Sequence, residues 1–139
     1  MRSDHTGRRQ IRVAIVDDDA GVRVGLRRLC EVFDLGVSVY ASGHEFLASL
    51  DHGCPHTDCL LIDAHMPTMT GVELQHDLLS RGVQIPTIVF TGDDPDAVSA
   101  HHTGLSVVAC LRKPVESDDL IAAIERAVGA VVSDPDGPR

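Results

Sequence analysis

Five short apolar runs, separated by segments with helical patterns, constrain this chain more than any other feature. The runs cover residues 11–16, 36–40, 58–62, 85–90 and 107–111. Most of them are too continuously apolar to be strands with one face in water. Such runs are typical of strands that are covered on both faces, as in parallel sheets. The sequence therefore predicts a buried parallel sheet.

The intervening segments carry apolar residues at helical spacing and residues that favour helix starts. One apolar face is formed by Val22, Leu26, Leu29 and Phe33. The predicted N-terminal caps are Asp18 or Asp19, Ser42 with Glu45, Thr70 with Glu73, Asp94 with Pro95, and Ser117. The fourth helix, near residues 96–102, has a weak apolar face. Because strand and helix alternate five times, we expect an α/β fold with helices on both faces of the sheet and right-handed crossovers.

The chain length fits one domain. The chain has 139 residues, of which 43% are hydrophobic, and single domains most often contain roughly 100–150 residues. We expect the domain to span residues 11–130, with flexible polar tails at 1–10 and 131–139.

Charge and cysteine usage limit the class of protein. A formal net charge of −9 argues against direct nucleic-acid binding, because an acidic surface repels phosphate backbones. The sequence shows no long apolar run and no apolar signal segment, so we expect a cytoplasmic protein without a membrane span. Its cysteines, Cys30, Cys54, Cys59 and Cys110, form no CxxC pair, which favours reduced thiols.

Polar residues follow four of the five predicted strands. Asp17-Asp18-Asp19 follow the first strand, Asp63 the third, Thr91 the fourth and Lys113-Pro114 the fifth. The second strand ends at Tyr40 and is expected at a sheet edge. Since sites in open parallel sheets form beyond the carboxyl ends of the strands, we expect the polar residues to converge.

The residue types at these strand ends indicate phosphoryl chemistry. Clustered carboxylates repel one another unless a cation joins them. Mg²⁺ suits such a cluster because it takes hard oxygen ligands. Lys113 adds a positive charge for an anion, and Thr91 adds a hydrogen-bond donor. Together they describe an aspartate that accepts a phosphoryl group.

Four motifs resemble those of the response-regulator receiver domains of two-component signalling systems. They are IVDDDAGVR, LLIDAHMPTMTG, IVFTGDD and LRKPV, each at a predicted strand end and in the family's order. The resemblance covers about residues 11–130. It implies a flavodoxin-like (βα)5 fold with strand order 2-1-3-4-5, and Mg²⁺-dependent acceptance of a phosphoryl group from a kinase phosphohistidine. The output it implies is a change in protein–protein contacts.

The resemblance also implies a role for each site residue. Asp63 matches the phosphoacceptor, and Asp18 and Asp17 match the acidic pair that holds Mg²⁺ directly and through water. His65 lies where the family lends a backbone carbonyl to the metal. Thr91 matches the hydroxyl that contacts the phosphoryl group, and Lys113 matches the site lysine, with a cis bond to Pro114. Asp19 is expected to cap the first helix instead.

One position departs from the family pattern. The family often carries an aromatic residue three positions before the lysine, and here that residue is Cys110. A ring there turns inward after the hydroxyl residue moves toward the phosphoryl group. We therefore expect a weak conformational response, or another route to the output face. His65 and Asp93 occupy variable positions beside the phosphorylation site, where the family tunes the lifetime of the phosphoryl group.

Other functions remain open at this stage. A pseudo-receiver would keep the fold as a phosphorylation-independent interaction module. A phosphatase of the haloacid-dehalogenase type would also use a strand-end aspartate, but it needs a second aspartate where this chain has His65. The stretch HGCPHTDC, residues 52–59, offers ligands for Zn²⁺, although its spacing fits no common finger and loop residues plus one core thiol explain it better.

The expected partners follow from the receiver interpretation. A sensor histidine kinase or a phosphotransfer protein would supply the phosphoryl group. A downstream protein or a fused output domain would receive the signal, and a homodimer is also compatible with the family. The sequence shows no DNA-binding helix-turn-helix after the predicted fifth helix, so we expect either a single-domain regulator or the receiver half of a truncated transcription factor.

Overall fold

The computed structural model describes residues 10–53, 56–101 and 105–132, with residues 99–101 described by their backbone only. Five strands and five helices alternate along it. They are β1 (Arg12–Val16), α1 (Ala20–Val32), β2 (Gly36–Tyr40), α2 (Gly43–Asp51), β3 (Cys59–Asp63), α3 (Gly71–Ser80), β4 (Thr87–Thr91), α4 (Pro95–His101), β5 (Val107–Arg112) and α5 (Ser117–Val128). No helix of these ranges is long and apolar enough to cross a membrane.

The strands form one parallel sheet in the order β2-β1-β3-β4-β5. This order and the alternating helices confirm the predicted flavodoxin-like α/β fold. Every residue of β3 and β4 is buried, whereas β2 and β5 lie at the two edges and are only partly covered. The prediction of strands covered on both faces therefore holds for the centre of the sheet, where a hydrophobic core covers each face, and not for its edges.

Side chains alternate between two cores, one on each face of the sheet. Val13 and Ile15 of β1 pack with apolar residues of α1 and α5. Ala14 and Val16 of the same strand pack on the other face with Phe46 of α2 and with residues of α3 and α4. The central strands are thus fixed from both faces, which gives their carboxyl ends a rigid position.

The predicted helix starts are largely confirmed. Asp19 caps α1 by accepting hydrogen bonds from the backbone N–H groups of Gly21 and Val22. Thr70 and Glu73 form a complete capping box at α3. In the fourth helix Pro95 is the first residue, and the Asp94 side chain accepts from the N–H of Asp96.

Two predicted caps differ from the structure. Ser42 accepts from the N–H of Glu45, but the Glu45 carboxylate reaches the N–H of Ala41 and not that of Ser42. The prediction of Ser117 as the cap of α5 was wrong, because the cap is Glu116 and Ser117 is already helical. The carbonyl of Glu116 accepts the first helical hydrogen bond, from Leu120 N at 3.0 Å, so the helix begins one residue earlier.

Strand ends differ slightly from the apolar runs. β4 begins at Thr87 and not at residue 85, because Pro86 has no N–H to donate to a ladder. Residues 1–9 and 133–139 of the predicted tails, as well as Cys54 and His102, lie outside the described residues. Within the described part of the tails, Val132 is buried and its N–H donates to Glu125 Oε2 at 2.9 Å.

Candidate functional site

The strand order brings the predicted polar residues to one edge of the sheet. Carboxylate oxygens of Asp17, Asp18 and Asp63 all lie within 4.8 Å of one another. Asp17 and Asp63 are buried, with 1% and 6% of their surfaces exposed, whereas Asp18 is exposed. In the part of the chain that the structure describes, this is the only such group of three acidic, histidine or cysteine ligands.

Lys113 joins the two buried carboxylates. Its Nζ lies 3.4 Å from Asp17 Oδ2 and 3.3 Å from Asp63 Oδ1. Burial lowers the pKa of Lys113, but the charges of Asp63 and Asp17 outweigh burial and leave that pKa above its ordinary value. The lysine therefore stays protonated and supplies the positive charge that a buried carboxylate pair requires.

Burial is the largest cause of a raised pKa for Asp17, and the nearby charge of Asp63 raises it further. A hydrogen bond of 2.9 Å from Asp19 N to Asp17 Oδ1 and the charge of Lys113 act in the opposite direction. Without a metal ion, the carboxylates of Asp17 and Asp63 thus repel each other, and Lys113 compensates this repulsion only in part. A cation beside these oxygens would relieve that repulsion.

Asp63 is the last residue of β3, and it is positioned by its pairing with β4 and by the loop that follows it. It pairs with Phe90 of β4 in the sheet, and its Oδ1 accepts from His65 N at 3.3 Å. The loop folds back so closely that a Cβ at Gly71 would lie 3.1 Å from the carbonyl oxygen of Asp63. A side chain at this position would therefore require the backbone around Asp63 to shift by a few tenths of an ångström.

Thr91 ends β4 beside the acidic cluster and is fully buried. Its Oγ1 accepts from Asp93 N at 2.9 Å, which leaves the hydroxyl hydrogen as a donor. The Thr91 carbonyl accepts from Lys113 N at 2.7 Å, and the predicted cis bond between Lys113 and Pro114 is present. The ends of β4 and β5 are thereby held together.

Two contacts of the site were not predicted. His65 Nε2 lies 3.0 Å from Asp93 Oδ2, so this exposed pair joins the loops after β3 and β4. Arg23 Nη1 donates to the carbonyl oxygen of Asp17 at 2.7 Å. Neither contact has a signature in sequence spacing, because each depends on the direction that a long side chain takes.

The stretch 52–59 does not form a zinc site among the residues that the structure describes. His56 Nε2 lies 2.9 Å from Asp58 Oδ1, and Asp58 Oδ2 accepts from Arg12 N at 2.9 Å. Cys59 is fully buried on β3, and burial raises the pKa of its thiol to about 12. Because zinc binds the thiolate, Cys59 is a core residue and an unfavourable ligand.

The remaining described cysteines are also structural in their placement. Cys30 of α1 is a buried free thiol in the same core as Cys59, and burial raises its pKa to about 12. Cys110 lies on β5 opposite Val89 of β4 and is partly covered by the core on the α3 side. It therefore occupies the expected strand position without an aromatic ring.

The donor set at the strand ends fits a hard divalent cation. Carboxylate oxygens are the ligands that Mg²⁺ prefers, and the cluster offers three of them together with an unneutralised negative charge. Lys113, which contacts two of the three carboxylates, is poised to bind an anion that also contacts the cation. Such an arrangement can hold a phosphoryl group beside Asp63.

Comparison with known proteins gives a consistent result. The family model for the response regulator receiver domain matches residues 13–125. The response regulator protein TmoT of Ectopseudomonas mendocina is 36% identical over 118 residues, which are 84% of this chain and 52% of that protein. The transcriptional regulatory protein FixJ of Azorhizobium caulinodans is 37% identical over 120 residues, covering 84% of this chain and 54% of that protein.

Solved structures share the fold. The crystal structure of FixJ-N is 36% identical with a TM-score of 0.76 and covers 91% of this chain and all of that one, 100%. A response regulator receiver protein from Burkholderia phymatum is 31% identical with a TM-score of 0.78, covering 88% of this chain and 98% of that one. The chain spans about half the length of the curated relatives that it matches, as the 52% and 54% coverages show.

Proposed function

Because this chain belongs to the response regulator receiver domain family, we propose that Asp63 accepts a phosphoryl group from a phosphohistidine. The donor would be a sensor histidine kinase or a phosphotransfer protein in the cytoplasm. The receiver unit would comprise residues 11–130. The observation that carries this proposal is the contact of Lys113 with both Asp63 and Asp17, at 3.3 and 3.4 Å, beside a third carboxylate.

The proposed reaction is a single transfer. A carboxylate oxygen of Asp63 attacks phosphorus, an O–P bond forms, and the N–P bond to the donor histidine breaks. The electron pair of that bond stays on the imidazole nitrogen. The chain is then a phosphorylated acceptor and not a turnover enzyme, although hydrolysis of the acyl phosphate would return it to its starting state.

The site residues would act by position and charge. Mg²⁺ would be held by Asp18, Asp63 and the backbone carbonyl of His65, and by Asp17 through water. When bound, the cation would supply positive charge beside the phosphoryl oxygens. Lys113 offsets the negative charge that phosphorylation adds.

Thr91 would donate its free hydroxyl hydrogen to a phosphoryl oxygen, since its oxygen already accepts from Asp93 N. That new bond would pull on the end of β4 and change protein–protein contacts.

Beryllofluoride, a stable mimic of the phosphoryl group, tests this proposal. The full chain would be labelled with ¹⁵N and observed with Mg²⁺ and beryllofluoride, with Asp63→Asn as the matched control. We expect new amide resonances around Asp63 and Thr91 in the wild type only. If beryllofluoride caused no more spectral change in the wild type than in the control, the result would contradict the proposal and favour a phosphorylation-independent interaction module.

The relatives support a further proposal about output. FixJ is a transcriptional regulatory protein, NtrC of Salmonella typhimurium is a DNA-binding transcriptional regulator, and this chain covers 54% and 24% of them. We propose that the receiver controls transcription through an attached domain. An antibody against this chain should detect, in the source cells, a protein of about twice its mass or more. A band at the mass of the chain alone would indicate a single-domain regulator.

A further inference from the structure

The three carboxylates of the site are held to very different degrees. Asp17 is fixed by Asp19 N and Lys113, and Asp63 is fixed by His65 N and Lys113. Among the described residues, no hydrogen bond or ion pair holds the carboxylate of Asp18. Its side chain is also exposed. The position of Asp18 therefore depends on the backbone on either side of it.

That backbone is held mainly at Asp17. The N–H of Asp17 donates to the Tyr40 carbonyl of β2 at 3.1 Å, which fixes the end of β1. The carbonyl of Asp17, which begins the peptide unit leading to Asp18, accepts from Arg23 Nη1 at 2.7 Å. This second bond comes from a charged donor, and such bonds are shorter and stronger than neutral ones.

The helix that carries Arg23 is itself tied to the same loop. Arg23 N donates to the carbonyl of Asp19 at 3.0 Å, and Asp19 caps α1. The side chain of Arg23 is partly buried against this turn. The contacts of Arg23 thus connect α1 to the carbonyl groups of Asp17 and Asp19. These are the residues on either side of Asp18.

We propose that Arg23 is a positioning residue for the cation site, because it holds the Asp17 carbonyl and thereby places the Asp18 carboxylate. This role rests on the proposed Mg²⁺ site. Among the described residues, Arg23 forms no hydrogen bond or ion pair with the carboxylates of Asp17, Asp18 or Asp63, and its side chain donates to the carbonyl of Asp17. It acts through the peptide unit between Asp17 and Asp18.

A second effect of Arg23 would have the opposite sign, which makes the inference testable. Its positive charge lies near the acidic cluster and repels a divalent cation. If charge alone mattered, removing the guanidinium would tighten Mg²⁺ binding. If positioning dominates, removing it weakens binding by about tenfold, the lower end of what loss of a residue that orients a ligand costs.

The experiment is a titration of the full chain with Mg²⁺ and no phosphodonor, followed through the amide resonances of Asp18 and Asp63. Arg23→Met removes the charge and the hydrogen bond, whereas Arg23→Lys keeps the charge and an ammonium group that can donate. Arg27→Met is the matched control, because Arg27 lies one turn further along α1, where its Nε is 3.4 Å from Glu31 Oε2. It removes the same charge without contacting Asp17.

We expect Mg²⁺ to bind most weakly to Arg23→Met, with Arg23→Lys closer to the wild type and Arg27→Met no weaker than the wild type. Equal or tighter binding by Arg23→Met would overturn the inference, as would equal weakening by Arg27→Met. Circular dichroism establishes that each variant is folded, and Arg23→Gln replaces the Met variant if that one is not. Since no phosphodonor is present, failure of phosphorylation leaves this result intact.

Discussion

Lys113 Nζ lies 3.3 Å from Asp63 Oδ1, so the ammonium group that follows β5 contacts the carboxylate that ends β3. Parallel strands with β4 between them bring these residues together. The same ammonium group also reaches Asp17 at 3.4 Å. Lys113 therefore compensates two buried charges before any cation binds.

Replacing Lys113 should destabilise the metal-free protein. Lys113→Met leaves Asp17 and Asp63 without their cationic partner, and we expect a loss of about 2 kcal/mol in the free energy of unfolding, somewhat below the cost for a fully buried pair. Urea denaturation in a chelator measures it. Saturating Mg²⁺ should reduce the deficit, because the cation replaces part of the lost charge. An unchanged urea midpoint in chelator would show that the contact is not compensating the carboxylates.

The raised pKa of Asp17 predicts that the stability of the protein depends on pH. Burial and the charge of Asp63 raise its pKa above the ordinary 3.8, so the folded state holds this proton to higher pH than the unfolded state. The contribution of Asp17 to stability therefore falls as pH rises from about 3.8 through the raised pKa.

The Asp17→Asn variant isolates this effect. Urea denaturation of wild type and variant in chelator, from acid to neutral pH, should show the variant gaining stability relative to the wild type across that interval. A difference between the two proteins that is constant with pH would mean that the Asp17 pKa is not raised by folding.

Divalent cations should stabilise the fold in proportion to their binding. At ten times the dissociation constant, Mg²⁺ is expected to add about 1.4 kcal/mol to the free energy of unfolding, because it binds only the folded state. Asp18→Asn should remove most of that gain while leaving metal-free stability almost unchanged, since Asp18 is exposed. Thermal unfolding with and without Mg²⁺ provides the comparison. Equal Mg²⁺ stabilisation of both proteins would exclude Asp18 as a ligand.

Thr91 should link the phosphoryl group to the loop after β4. Thr91→Val keeps the shape of the side chain but removes the acceptor for Asp93 N, at a cost of about 1 kcal/mol. We also expect beryllofluoride to shift fewer resonances in the α4 region. Thr91→Ser retains the hydroxyl and should behave like the wild type. Full spectral changes in the Val variant would mean that another group carries the signal.

Cys110 should limit the conformational response of the output face, by which we mean the surface around Cys110 and α5. It is partly covered on β5 and carries no ring that could turn inward. We therefore expect only small shifts of the amides around Cys110 and α5 when beryllofluoride binds. Large shifts there would show that the face switches by a route that does not require an aromatic side chain.

The strand ends could be predicted because they depend on sequence pattern alone. Apolar runs ending in Asp17, Asp63 and Thr91 specify which residues leave a buried strand, and strand–helix alternation places those ends together. The helix caps of Asp19 and Thr70 follow from local residue preferences. The strand ends and the caps are set by neighbours along the chain, whereas the strand order was expected only from the resemblance to the receiver family.

Contacts between long side chains could not be predicted in the same way. Arg23 could have pointed to solvent, like the exposed Arg27, and nothing in the spacing selects the Asp17 carbonyl. The pairing of His65 with Asp93 likewise depends on two loop conformations. The cap of α5 was predicted wrongly because serine is a preferred capping residue, whereas in the structure Ser117 is the first residue inside the helix and Glu116 is the cap.

Intact-mass spectrometry after incubation with acetyl phosphate tests the central claim most directly. Wild type and Asp63→Asn would each be measured with and without Mg²⁺. The receiver function predicts one added phosphoryl group in the wild type with Mg²⁺, and none in the variant or without the metal. An equal adduct on Asp63→Asn would contradict the claim, as would an unmodified wild type that also fails to bind beryllofluoride.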